Sequence, residues 1–160
     1  MNKKIYYMKK ILLFFALVIV TITQAQEIKW VTFDEAIALQ KKNPKPIFMD
    51  VYTTWCGPCK MLDKNTFQTK EVSEYINANY YAVKFNGEGT SEVNYKGKKY
   101  SNPGYDPNRS GRNSMHEFTG FLKVEGYPSM YVLDKSGEIA QVIVGYRQAE
   151  QLLEELKTAK

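Results

Sequence analysis

Trp55-Cys56-Gly57-Pro58-Cys59-Lys60 holds both cysteines of the 160-residue chain and follows Ile47-Phe48-Met49-Asp50-Val51, a run that is apolar except for one acid. Such a run suits a central strand covered on both faces, and the residues from Cys56 to about Thr66 read as a helix. A helix that begins at Cys56 sets that thiol against unpaired backbone N–H groups at the positive end of the helix dipole, which favours thiolate over thiol. Cys56 is therefore the expected nucleophile. Cys59 comes one turn later on the same face, placed to attack a mixed disulfide at Cys56 and release the reduced partner. It is the expected resolving thiol. Pro58 falls in the first turn, where a missing N–H costs little, and Gly57 is expected to keep the nucleophile open to a large substrate.

A paired thiol motif has two other readings, half a zinc site or a structural bridge. Zinc takes about four ligands, whereas there is no third cysteine and His116 is the only histidine. Dithiol–disulfide exchange is the reading that remains best supported. Asp50 shares strand parity with Phe48 and Tyr52, so if that face is covered its carboxyl group is poorly solvated and its pKa is expected to rise.

Three further positions, with the cysteine pair, carry a resemblance. Asp50 stands six residues before Cys56, Lys84 lies on the next predicted strand, and Gly126-Tyr127-Pro128-Ser129 forms a short proline loop. Together they resemble the thioredoxin superfamily from about Glu27 to the C-terminus. Within it, Ile47 to Phe67, including Lys64-Asn65-Thr66-Phe67, is most similar to the periplasmic reductase domains of disulfide-interchange proteins. The resemblance implies an α/β thioredoxin fold, with a central mixed β-sheet flanked by helices. It assigns Asp50 the role of proton acceptor for Cys59 and Lys84 that of partner to Asp50. It further implies a cis bond before Pro128, which would lay the Tyr127 backbone beside Cys56 for an extended substrate segment. Trp55 and Tyr127 would add apolar rims, so that Trp55, Gly57, Pro58, Tyr127 and Pro128 make up the expected substrate-binding set. Plainer readings stay open: Asp50 as an ion-paired acid held by Lys84, and Pro128 as an ordinary loop proline. A copper-transfer site in this fold would need an imidazole, for which His116 is the sole candidate; otherwise His116 reads as an ordinary helix residue.

The first 25 residues read as a secretory signal. Lys3, Lys4, Lys9 and Lys10 are its basic segment, Ile11 to Val20 its apolar segment, and Thr23-Gln24-Ala25 its cleavage site. The alternative is an uncleaved membrane anchor, but ten apolar residues fall short of the roughly 20 that span a bilayer. No cysteine follows the apolar segment to take a lipid. Removing four lysines takes Lys+Arg from 22 to 18 against 17 acidic residues, leaving +1, and a nucleic-acid partner loses its support. The expected organisation is thus a signal peptide (1–25) and one thioredoxin-like domain (26–160), exported to a periplasm, with no stapling disulfide beyond the single pair.

Along the domain, Ile28 to Val31 reads as an edge strand. Thr32-Phe33-Asp34-Glu35 is a capping box opening a helix with Phe33, Ala36 and Ile37 inward, and Asn43-Pro44-Lys45-Pro46 ends it. A helix over Thr69–Ala78, with Val72, Tyr75 and Ile76 on one face, leads to a strand over Tyr80–Phe85. Residues 86–114 form an insertion relative to thioredoxin, placed before the third main helix. Val93 to Tyr100 suggests a hairpin turning near Gly97, with a turn-rich tip at Asn102-Pro103-Gly104-Tyr105-Asp106-Pro107; a mobile surface loop is the other reading. Met115 to Val124 is expected to be helical with Phe118, Phe121 and Leu122 inward. Met130–Leu133 and Ile139–Val144 make a hairpin around Asp134-Lys135-Ser136-Gly137, and Gln148–Lys157 a closing helix with Leu152, Leu153 and Leu156 inward.

These features point to an enzyme without cofactors, a monomer acting on disulfide-bearing proteins. Gly57-Pro58 is more similar to reducing than to oxidising relatives, and an exported reductase needs a membrane electron donor. A thioredoxin-fold binding module and a disulfide isomerase are the alternatives.

Overall fold

The computed structural model describes residues 27–159. The signal segment and its cleavage site lie outside the described residues. In chain order the elements are β1 (Trp30–Val31), α1 (Phe33–Lys42), β2 (Ile47–Tyr52), α2 (Gly57–Leu62), a π-helical turn (Asp63–Phe67), α3 (Lys70–Asn79), β3 (Tyr81–Asn86), β4 (Val93–Tyr95), β5 (Lys98–Tyr100), α4 (Glu117–Phe121), β6 (Ser129–Leu133), β7 (Ile139–Val144) and α5 (Ala149–Thr158). None of these helices is long and apolar enough to cross a membrane.

Five strands form one mixed sheet in the order β1-β3-β2-β6-β7, with β1, β3 and β2 parallel and β6 antiparallel to both β2 and β7. β2 is the central strand, and its alternation decides what lies on each face. Ile47, Met49 and Val51 pack with Phe33 and Ala36 of α1 and Phe118 of α4. Phe48 packs on the other face with Leu62 of α2, Phe67 of the π-turn, Val72 and Ile76 of α3, and Leu152 and Leu156 of α5. Each fully buried side chain of this size contributes about 1.5–3 kcal/mol, so two apolar layers hold the sheet without structural disulfides. Asp50 has the parity of Phe48 and therefore points beneath α2, the helix that carries the cysteines.

The capping box at α1 is present: Thr32 Oγ1 accepts from Glu35 N, and Glu35 Oε2 accepts from Thr32 N at 2.8 Å. The single helix expected over Cys56–Thr66 is instead α2 followed by the π-turn. The wider turn brings Thr66 and Phe67 inward together, where Thr66 Oγ1 donates to Arg147 O at 2.6 Å.

The insertion contains the expected hairpin, β4 with β5. Lys96 (φ 50°) and Gly97 (φ 75°) both adopt the left-handed conformation required by the tight two-residue turn. Val93, Tyr95 and Tyr100 are buried against Phe33 and Phe118, so the mobile-loop reading does not hold for this half of the insertion. The third main helix is shorter than expected: α4 covers only Glu117–Phe121, capped by the His116 side chain and ended by Lys123 at φ 55°. The expected inward face is corrected as well. Phe118 is fully buried, whereas Phe121 is 42% exposed and only leans on the Tyr95 and Tyr100 rings.

Candidate functional site: a disulfide at a helix start

Cys56 is the N-cap residue of α2, with extended backbone, and it is disulfide-bonded to Cys59. Cys56 Sγ also accepts the Cys59 backbone N–H at 3.1 Å. That N–H is one of the otherwise orphaned donors of the helix start, and aimed at sulfur it stabilises negative charge there. Pro58 occupies the first turn, where its lack of an N–H breaks no bond. Gly57 and Pro58 are exposed, and the space beside Gly57 is empty to beyond 4 Å. The cysteines themselves are each only 2% exposed, which corrects the expectation of an open nucleophile. Capping the helix turns the Cys56 side chain back over the helix end, so in the disulfide form the sulfur is recessed and only the neighbouring backbone stands open.

Beneath α2, the β2–β3 register pairs Asp50 with Lys84, and Lys84 Nζ lies 2.8 Å from Asp50 Oδ2. The approach is too bent for a good hydrogen bond, so neither carboxylate oxygen has an aligned donor. Asp50 is almost fully buried, and that burial pushes its pKa up; Lys84 opposes the shift, Asp63 adds to it, and the result is about 6. For Lys84, burial pulls the pKa down, but Asp50 and Asp63 outweigh it and the ammonium stays protonated. Lys84 also contacts the Asp63 carboxylate, and its ammonium sits about 5 Å from the Trp30, Tyr52 and Phe67 rings. The ion-paired reading of Asp50 is thus present, and burial raises the pKa of the acid in spite of its Lys84 partner. Asp63 was not anticipated, although it lies four residues after Cys59 on the same helical face, a readable spacing.

The Tyr127–Pro128 peptide is cis, as the resemblance implied. Val51 pairs with Ser129, so this loop sits beyond the end of β2, where the chain turns toward Cys56. The Tyr127 and Trp55 rings meet edge to face with centroids 5.9 Å apart. The expected rim residues are therefore brought together next to the disulfide.

A second set of residues at this rim comes from the insertion. Glu88 Oε2 accepts from Trp55 Nε1 and from Asn113 N, each at 2.8 Å, and the Arg112 guanidinium lies 4.3 Å above the Trp55 ring. Gly87, at the root of the insertion, has no room for a side chain: a Cβ there would come within 2.7 Å of the Tyr127 hydroxyl. Nothing in the sequence pattern signalled Glu88, Arg112 or Asn113, because contacts between an irregular loop and a tryptophan have no period.

His116 is neither a helix-interior residue nor a free imidazole. Its Nδ1 accepts from Phe118 N at 3.0 Å, so Nε2 carries the proton and donates to Ser91 O at 2.7 Å. Both nitrogens are occupied, and burial pulls its pKa down against the smaller upward effects of Ser91 and Glu117. Copper ligation has no lone pair to use. Among the described residues no three Cys, His, Asp or Glu side chains cluster as metal ligands.

The family model described as "Thioredoxin-like domain" matches residues 33–160. The chain belongs to this thioredoxin-like family. Among similar proteins, the rice (Oryza sativa subsp. japonica) chloroplastic thioredoxin Y is 30% identical over 99 residues, 62% of this chain and 55% of that protein. Arabidopsis thaliana thioredoxin Y1 is 28% identical over 131 residues, 82% of this chain and 59% of that protein. The chain thus spans less than two thirds of these relatives' length. A solution structure of a candidate disulphide-isomerase from Bacteroides thetaiotaomicron is 28% identical, covers 86% of this chain and 96% of its own, and superposes with a TM-score of 0.60. The DsbH oxidoreductase, at 16% identity and a TM-score of 0.58 over 83% of this chain and 84% of its own, shares the fold. This is a thioredoxin-fold protein with the cysteine pair of thiol–disulfide oxidoreductases.

Proposed function

We propose that this protein reduces disulfide bonds in other proteins, as an exported enzyme using Cys56 as nucleophile and Cys59 as resolving thiol. The observation that carries the reading is the disulfide at the start of α2, with a helix N–H aimed at Cys56 Sγ. In the reduced enzyme the Cys56 thiolate attacks one sulfur of the client disulfide; a bond forms between Cys56 and that sulfur, and the other client sulfur leaves as thiolate and is protonated. Cys59 then gives up its proton and attacks Cys56 Sγ. The enzyme disulfide forms, the second client thiol is released, and two electrons have passed to the client.

Asp50, with Lys84 beside it, takes the Cys59 proton in this scheme, which its pKa of about 6 permits near neutral pH. The extended client segment lies across Gly57, Pro58, Tyr127 and Pro128 and meets the Trp55 edge. Because Cys56 is recessed in the disulfide form, an incoming donor thiol has to be guided across the open Gly57-Pro58 backbone. Reduced clients leave the enzyme oxidised, so a membrane electron donor restores it. Export rests on the N-terminal basic and apolar segments, and its test is N-terminal sequencing of the mature protein, which is expected to begin at Gln26; retention of residues 1–25 would remove this part of the proposal.

The deciding experiment is insulin reduction with wild type and Cys56→Ser, in which only wild type is expected to be active. Equal rates would remove the proposal. The Bacteroides relative favours a second reading, isomerisation. Recovery of activity from a scrambled-disulfide substrate, faster than reduction alone accounts for, would establish it.

A further inference from the structure

Arg112 is the one cation that the insertion holds against the residue preceding the nucleophile. Its guanidinium stacks 4.3 Å over Trp55, yet the residue is exposed. None of the ion pairs among the described residues involves Arg112. Glu88, the acid of this cluster, already receives the Trp55 indole N–H and the Asn113 N–H at Oε2. Stacking on an aromatic face fixes the guanidinium plane while leaving its edge N–H donors free for a carboxylate, a geometry suited to arginine and not to lysine.

Its position is structurally fixed. Glu88 ties Trp55 to Asn113, the neighbour of Arg112. The Asn113 side chain in turn donates from Nδ2 to Asp106 O and accepts from Asp106 N. Asn102 Nδ2 donates to Ser114 O at 2.8 Å and Gly89 O at 3.1 Å, closing the loop that bears the arginine. At the root, Gly87 N donates to Tyr52 O, and Gly87 O accepts from His116 N and Thr119 Oγ1. The loop is thus braced on the strand end that leads to Cys56.

We infer that Arg112, stacked on Trp55, is a specificity residue that selects disulfides flanked by acidic residues in the client. The inference rests on the exchange chemistry proposed above and adds the client class. A client segment crossing Gly57-Pro58 toward Tyr127 passes the Trp55 edge, where an Asp or Glu near its cysteine meets the unpaired guanidinium.

The test is single-turnover exchange by the pre-reduced protein with two disulfide-linked peptides of equal length, one with Glu and one with Lys flanking the cysteine. Wild type is expected to react with the Glu peptide roughly two- to fivefold faster at low salt, the range of an exposed charge pair. The ratio is expected to shrink toward one in 1 M salt, where the screening length is about 3 Å. Arg112→Gln should bring the low-salt ratio to near one and Arg112→Glu should invert it, while the remote Lys157→Gln keeps it. Because each variant is read as a ratio, a general loss of activity cancels. Equal wild-type rates for the two peptides, or a preference that survives Arg112→Gln, would overturn the inference while leaving the exchange chemistry intact. Failure of pre-reduced wild type to react with the uncharged hydroxyethyl disulfide would overturn both.

Discussion

Two groups of charge flank the Cys56–Cys59 disulfide, and they are built on opposite plans. Asp50, Lys84 and Asp63 lie beneath α2, set by strand register and walled by Trp30, Tyr52 and Phe67. Glu88 and Arg112 lie at the rim, set by an irregular loop and open to solvent on the Arg112 side. A charge with little water around it changes its own proton affinity, whereas a charge in water chiefly acts on what approaches and is screened by salt. The contrast gives the two proposals above different physical bases: proton transfer between the thiols is assigned to the inner group, and selection of partners to the outer one.

The largest effect expected is on the proposed exchange reaction itself. Cys59→Ser should convert a transient mixed disulfide into a stable adduct at Cys56, visible on a non-reducing gel as a client-linked band. If no adduct accumulates with a disulfide-bearing client, neither group has a reaction to tune. Phe118→Ala comes next. Phe118 is fully buried where the inserted hairpin meets the sheet core, and its truncation should cost about 3–5 kcal/mol in denaturant unfolding. Phe121→Ala, on the exposed side of the same helix, should cost under about 1 kcal/mol. Similar losses for the two would erase the difference between the buried and rim sides of α4.

Asp50→Asn sharpens the inner half of the comparison. The folded pKa of Asp50 is raised to about 6, so the folded protein holds a proton there that the unfolded chain, titrating near 4, has released. The ionised acid therefore costs stability above pH 6, and the cost disappears as pH falls toward 4. Asn should raise stability by on the order of 2 kcal/mol at pH 8 and by little at pH 4, while slowing resolution of the mixed disulfide. A pH-independent gain would show that Asp50 does not titrate as proposed. The smallest effect belongs to the insertion. His116 has its pKa lowered, so its contribution to stability is present above the ordinary histidine value of about 6.5 and is lost as pH falls below it. Amides from Ser91 to Ser101, once corrected for intrinsic exchange, should then be less protected at pH 5 than at pH 7, and His116→Gln should flatten that difference.

The inner site was legible because its parts are periodic. Strand parity placed Asp50 on one face, helical spacing put Cys59 over Cys56, and the resemblance supplied Lys84 and the Tyr127-Pro128 loop. The sheet followed from its apolar runs for the same reason. Asp63 was within reach of the same spacing argument but went unread. The π-turn was hidden because a helix that widens by one residue keeps a helical composition. Phe121 shares a helical face with Phe118 and stacks on it, yet stays 42% exposed, a difference that a spacing of three positions does not encode. The outer group carried no signal: Trp55, Glu88 and Arg112 meet through single side-chain contacts that only a folded loop defines. The recessed position of Cys56 was equally unreadable, since exposure at a helix cap depends on which way one side chain turns.

The Asn102 side chain, bonded across to Ser114, bears on how such an enzyme could diversify. It closes the tip of the excursion below Pro103, so the residues beyond it hang from a stem already fastened to the body. Lengthening a closed loop costs little free energy, about 0.6 kcal/mol per doubling. The tip can therefore be rewritten while Asn102 and the aromatic hairpin stay in place, letting descendants acquire new clientele without retuning their sulfur chemistry.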